Sequence, residues 1–376
     1  MRFFGLGKKQ RQPTADERKL LVWLSKNGKG YEAIKEVERI VASETDTGFI
    51  DQDSHLTPLL LALDSNRTDP EIARIIFRSS PNAWQRGTFG FNTLHGAAKS
   101  EEFLEILEFG IKKSPNIDEP MGEESTNTAL GLAMMNLNEL GARALLLNGA
   151  SVDASGNAAA AGWASATWFG GLHYKARLHS YLEDTRKLEK SLSLLLSGGL
   201  DVNCSCAPHI YQVSMLQAVV DTWNLIGGNA FYPDSDDDFQ ARKLRLLLHY
   251  GADPNAITGK SIGAPYEGSV VHFCRRSEQI VTMLEGGADP YQISSNGRTI
   301  LHSIAECKDF SPRLEAAFNS ADFSFSKLEF EYKSRFKSVQ PSADSLIGSI
   351  KNTRADPFIE DDQKVHIFEF LGRIIG

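Results

Sequence analysis

Cysteine is scarce in this chain. Four residues, Cys204, Cys206, Cys274 and Cys307, stand in 376. That is too few to staple a chain of this length, which excludes a disulfide scaffold and makes a reducing compartment the expectation. Positive charge is also short: 40 Lys and Arg face 48 Asp and Glu, a formal −8 at pH 7. A general nucleic-acid binder needs a basic face, so no nucleic-acid partner is expected. Long apolar runs are missing too. MRFFGLGKKQ at the start holds no run of signal-peptide length. Ala154–Tyr174 is free of formal charge for 21 residues. It is long enough to span a bilayer, yet its Gly, Ser, Asn and Thr make it too weakly apolar to partition. A cytoplasmic protein without membrane contact is the expectation. No P-loop, nucleophile elbow, dinucleotide fingerprint, H-E-x-x-H or kinase signature occurs. No catalytic residue, metal, cofactor or small-molecule substrate is therefore assigned.

What is present is repetition. One phrase is written four times: LLLNGASVD at Leu145–Asp153, LLLSGGLDVN at Leu194–Asn203, LLLHYGADPN at Leu246–Asn255 and MLEGGADPY at Met283–Tyr291. A second phrase recurs as TPLLLA (Thr57–Ala62), NTLHGA (Asn92–Ala97), TALGLA (Thr128–Ala133), SVVHFC (Ser269–Cys274) and TILHSI (Thr299–Ile304). A Thr or Asn at the head of such a phrase can accept a bond from an orphan helix N–H. Pro58, one place later, has no N–H to leave unbonded. Gly149, Gly199, Gly251 and Gly287 each follow a Leu-rich segment, where a helix ends and φ turns positive.

These two phrases resemble the T-P-L-H-x-A opening and the Leu-Leu-x-x-Gly-Ala-Asp-x-Asn close of the ankyrin repeat. The resemblance implies an all-α solenoid of about seven to eight helix-pair units, each of roughly 33 residues. It implies that His95, His272 and His302 are structural, bonding nearby turn backbone. It also implies a protein-binding scaffold or adaptor, working through a groove, projecting fingers and loops. Host-directed effectors, toxin-neutralising partners and assembly scaffolds all resemble such arrays, and an effector would be delivered into a host cell.

Spacing divides the chain. Residues 1–12 read as a disordered basic tail, because 1–30 carries eight Lys or Arg against Asp16 and Glu17. Residues 13–56 read as a degenerate capping repeat, opened by a T-x-x-E capping box at Thr14 and Glu17. Residues 57–320 hold the repeats, and 321–376 a helical C-terminal cap with helices over 342–353 and 361–375. The closing glycines step by 50, 52 and 36 residues, so two units exceed the period and carry insertions near 163–187 and 226–240.

The insertions are the departure from a plain array. They hold aromatic residues, which contribute much of the energy at protein interfaces, and the acidic run PDSDDDF. Trp168, Phe169, Tyr174, Phe231, Tyr232, Asp234, Asp236, Asp237 and Asp238 are accordingly the expected partner-binding residues, with the acidic ones on a solvated loop. A calcium loop starting at Asp234 fails, since its sixth place is Phe239 rather than Gly and its twelfth Arg245 rather than Glu. Cys204, Cys206 and His209 offer three soft ligands where zinc needs a fourth. A turn with the second Cys packed beneath it is the expectation. Two rival readings are an enzyme whose site lies in the insertions or the C-terminal segment, for which a pocket joining His173, His179, Asp184 and the acidic loop would speak, and a membrane-surface protein anchored by the basic N-terminus and MRFFGL.

Overall fold

The computed structural model describes residues 12–42, 46–65, 67–80, 82–122, 125–166, 177–206, 213–226, 235–259, 266–307, 309–335 and 361–375. The described chain is predominantly α-helical. The strands among the described residues are two-residue pieces: β1 (Ser205–Cys206) pairs antiparallel with β2 (Val213–Ser214). The chain divides into two compact units, one of residues 1–166 and 190–199, the other of 167–189 and 200–376.

The first unit contains α1 (Ala15–Asn27), α2 (Gly30–Ala42), α3 (Pro58–Asp64), α4 (Pro70–Ser79), α5 (Thr93–Ala97), α6 (Leu104–Lys113), α7 (Ala129–Met135), α8 (Glu139–Leu147) and α9 (Ala154–Ser165). The helices come in consecutive pairs. Within a pair the two members touch, and each first member packs on the first member of the next: α1 on α3, α3 on α5, α5 on α7, α7 on α9. The second members follow suit, α2 on α4 and α6 on α8. Helices this short are marginal alone, so their stability comes from the apolar stripes they bury. Leu59, Leu60, Ile72, Ile76, Leu94, Ile106 and Leu145 supply that core, each at most 1% exposed.

Starts and stops follow local chemistry. Thr14 Oγ1 accepts from Glu17 N at 3.2 Å and the Glu17 carboxylate accepts from Thr14 N at 2.9 Å, the expected capping box. Thr57 and Thr128 cap α3 and α7 by accepting from Leu60 N and Gly131 N at 3.3 and 3.1 Å. Within α9, residues 155–157 have φ between 51° and 69°. Regular helix therefore starts at Ala158, with the Ala158–Ala161 run buried. Small residues there serve close approach. A Cβ placed on Gly162 would lie 2.1 Å from the Gly131 carbonyl oxygen.

The second unit contains most of α10 (Arg177–Ser197), then α11 (Met215–Ile226), α12 (Ser235–His249), a single 3-10 turn at Val270–Phe273, α13 (Ser277–Glu285), α14 (Ile300–Ala305), α15 (Arg313–Ser320), α16 (Phe325–Arg335) and α17 (Asp361–Ile375). Two rows recur. One is α11, the 3-10 turn and α14, with α17 packed on α14; the other is α12, α13 and α15. The C-terminal segment 342–353 lies outside the described residues. In α17, Ile367, Phe370 and Leu371 are buried, whereas Val365 and Phe368 of the same apolar set are about half exposed. Phe370 packs against Phe310 and Phe318, with ring centroids 5.7 Å apart in both contacts.

In the first insertion, α10 runs unbroken for 21 residues into the closing LSLLLS. The second insertion requires a correction. Asp236, Asp237 and Asp238 lie in the first turn of α12 rather than on a loop. The helix N-terminus carries partial positive charge and four orphan N–H groups, so acidic residues are favoured there.

Candidate partner-binding surface

The polar groups that join the pairs repeat their geometry. Gly149, Gly199, Gly251 and Gly287 have φ of 91°, 95°, 91° and 92°. In the second unit, Asn203 donates to the Gly251 carbonyl at 3.2 Å and accepts from Asp253 N at 2.8 Å. Asn255 does the same one turn later, to the Gly287 carbonyl at 3.0 Å and from Asp289 N at 2.7 Å. Tyr291, at the next equivalent place, reaches further with its hydroxyl, donating to the Asp322 carbonyl at 2.9 Å and accepting from Ser324 N at 2.8 Å.

The histidines are held the same way. His95 Nδ1 accepts from Asn92 N at 3.3 Å while Nε2 donates to the Glu119 carbonyl at 2.9 Å. His302 Nδ1 accepts from Thr299 N at 3.0 Å. His272 donates from Nε2 to the Gln292 carbonyl at 3.0 Å, and its Nδ1 lies 3.3 Å from Ser269 Oγ. Burial pushes His272 and His302 down to about 4, and lowers His95 likewise. Such rings are neutral at pH 7 and committed to backbone, as the resemblance implied.

The cysteines are equally inert. Cys206, in β1, is fully buried. Burial raises its thiol far above the ordinary range, and raises Cys204 to about 11 and Cys274 to about 12. A thiol held protonated is a poor nucleophile and a poor metal ligand. His209 lies outside the described residues. No metal-holding cluster of three or more His, Cys, Asp or Glu occurs among the described residues, and none of their helices is long and apolar enough to cross a membrane.

Turns between pairs leave a concavity in the first unit. It measures about 920 Å³ and is lined by Arg86, Phe89, Glu119, Met121 and the glycines between them. Hydrogen bonds and an ion pair tie its walls together. Arg86 Nη2 reaches both Glu119 carboxylate oxygens at 2.6 Å. Gly87 N donates to the Phe91 carbonyl at 2.7 Å, Thr88 N to the His55 carbonyl at 3.1 Å, and Met121 N to the Asn127 carbonyl at 2.7 Å. Gly122, at φ 86°, lets the two turns touch: a Cβ there would meet the Phe89 carbonyl oxygen at 2.5 Å. Phe89 remains 68% exposed, steadied by the edge of His55 with centroids 5.4 Å apart. A second concavity of about 340 Å³ lies nearby, lined by Asp46, Ile50, Thr57, Trp84, Gln85 and Arg86 among others.

The chain matches no protein-family model and no curated protein.

Trp168, Phe169, Tyr174, Phe231, Tyr232 and Asp234 lie outside the described residues, as does His173. Trp163, where the first insertion begins, is fully buried and packs the core. Sequence reasoning missed the Arg86, Phe89 and Glu119 groove. Its signal is modest: an aromatic bracketed by Gly87 and Gly90, where a core residue has no place to pack. It also missed Lys243, fully buried on α12, whose amine burial pushes down to about 7. Lys243 adjoins the buried Leu244 in a run of alternating charge and Leu, so no periodic signal marks it as an interior position.

Proposed function

We propose that the chain is an ankyrin-type repeat scaffold, without catalysis of its own, that binds a partner protein on the turns projecting between its helix pairs. The observation that carries this reading is the repeated turn. Asn203 and Asn255 make the same pair of bonds into the following turn, next to glycines sharing one positive φ. A module copied in this way, touching mainly its neighbours, supports a stacked array with an extended free surface. The buried histidines and thiols are spent on the fold, which leaves docking as the work of the exposed turns. Phe89 and the residues beside it are one candidate docking site; the inserted segments around Trp168 and Phe231 are a second candidate surface.

The test uses the full chain as bait in affinity capture with mass spectrometry. Beside it run Phe89→Ala and the triple variant Trp168→Ala, Phe231→Ala, Tyr232→Ala, each checked for unchanged helicity. A protein retained by the unaltered chain and lost from either variant supports the scaffold and places its surface. Failure to retain any protein specifically, with turnover of a small molecule instead, rejects it.

A further inference from the structure

We infer that the groove between turns 86–90 and 119–122 of the first unit takes a short Lys- and Arg-rich segment of a partner protein, with one cationic side chain laid over the Phe89 ring. This rests on the scaffold reading above and adds the chemistry of the partner.

Charge distribution carries the first part. The turns between helix pairs in the first unit hold Asp46, Asp51, Asp53, Asp118, Glu119 and Asp153, against one Arg or Lys among their described residues, Arg86. Arg86 is spent on Glu119 at 2.6 Å. The second helices of the pairs are built differently: Glu71 faces Arg74 at 2.9 Å, Arg78 faces Glu105 at 2.8 Å, and Glu139 faces Arg143 at 3.3 Å. Helix charges are thus matched within the fold, whereas the turns present an excess of one sign. Asp and Asn are common in tight turns, and Asp46, Asp51 and Asp118 do accept backbone bonds there. Asp51 is also paired with Lys26 at 3.6 Å, but the bonds to Asp46 and Asp118 come from neutral N–H groups, so their negative charge, with that of Asp53 and Asp153, remains and sets a field that draws cations.

Shape and chemistry of the groove carry the second part. Its volume of about 920 Å³ falls at the upper end of the ~300–1,000 Å³ common for ligand pockets. An aromatic ring 68% exposed on a backbone held by Gly122 and His55 loses little freedom on binding. A guanidinium or ammonium within about 6 Å of such a ring gains from its quadrupole. The same side chain's aliphatic stem can cover Met121 and Pro120 at the groove wall, while the acidic turns neutralise flanking charges.

The experiment pans a display library of random peptides, each about 12 residues, on the folded full chain at low and high salt. Enriched binders should be rich in Lys and Arg and should weaken as salt rises. Phe89→Ala and Asp53→Lys should each weaken the best binder about three- to tenfold. Glu108→Lys, on exposed α6 surface, should leave it unchanged. Acidic or uncharged binders that Phe89→Ala abolishes would overturn the basic-partner inference and keep the scaffold. Basic binders indifferent to both Phe89→Ala and Asp53→Lys would overturn the groove assignment. No enrichment at all would count against both.

Discussion

Adding one methyl group at Gly162 tests the packing of α7 on α9. In an exposed helix, Gly→Ala raises stability by about 0.5–1 kcal/mol, through helix propensity and a less flexible unfolded chain. Here the new Cβ would sit 2.1 Å from the Gly131 carbonyl oxygen, 2.9 Å from its carbon and 3.1 Å from its Cα. All three are backbone atoms, so no rotamer change relieves the clash, and the helices must part by about 1 Å. A gap of that size forfeits about a quarter to a half of each dispersion contact along the seam. Overpacking of this kind costs about 1–3 kcal/mol, and the immovable backbone argues for the upper half. Net destabilisation of about 1–2 kcal/mol is expected after the propensity gain. Gly372→Ala is the control: Gly372 sits in α17, where a Cβ would find nothing within 4 Å, so it should gain about 0.5–1 kcal/mol. Urea unfolding followed by far-UV circular dichroism reads both. If Gly162→Ala proves as stable as the unaltered chain, the close backbone approach of α7 to α9 is refuted.

Acid should weaken the fold through its histidines. His272 and His302 are held near 4 by burial, against about 6.5 unfolded. Their depressed folded pKa makes stability complete above about pH 6.5 and progressively lost as pH falls toward 4, by up to roughly 3 kcal/mol each. Urea midpoints measured over that window should fall in the unaltered chain and fall less in His272→Gln; an identical slope in both would contradict the burial argument. Asn255→Ala removes a bond to the Gly287 carbonyl and one from Asp289 N, and should cost about 1–2 kcal/mol in the same assay. Phe89→Ala, by contrast, should change unfolding stability by less than about 0.5 kcal/mol, because the ring is 68% exposed. A large loss would mean that Phe89 is structural.

The helices are legible in the sequence because their determinants are local and repeated. Thr14 with Glu17 announces α1, and Gly28 its end; the bonds observed are the ones those residues can make. The Gly after each Leu-rich segment marks a positive φ, and four such glycines share it within a few degrees. What fails is the reading of the acidic run inside the second long unit. PDSDDDF reads as loop by polarity alone. Its Asp236, Asp237 and Asp238 instead occupy the one part of a helix where acids stabilise it, so the helix starts earlier than its apolar pattern does.

The groove is harder to read for a reason that follows from the repeat itself. Turn positions serve two ends. Some must close the unit, and these recur: a glycine of positive φ, an Asp accepting the N–H two residues on, an Asn bonding the next turn. Recurrence is what makes them visible in a sequence. The remaining turn positions face outward, are free of that duty, and need not repeat. Phe89 and Arg86 occupy such places, so no period or packing rule points to them. Trp168 and Phe231 draw attention instead because insertions break the period conspicuously. An interrupted repeat flags where a chain departs from its template; an uninterrupted one hides its outward-facing residues among turns of standard length. The groove around Phe89 is of the second kind, since 92 to 128 spans 36 residues with no insertion, and only the juxtaposition of two successive turns brings Arg86 and Glu119 within 2.6 Å.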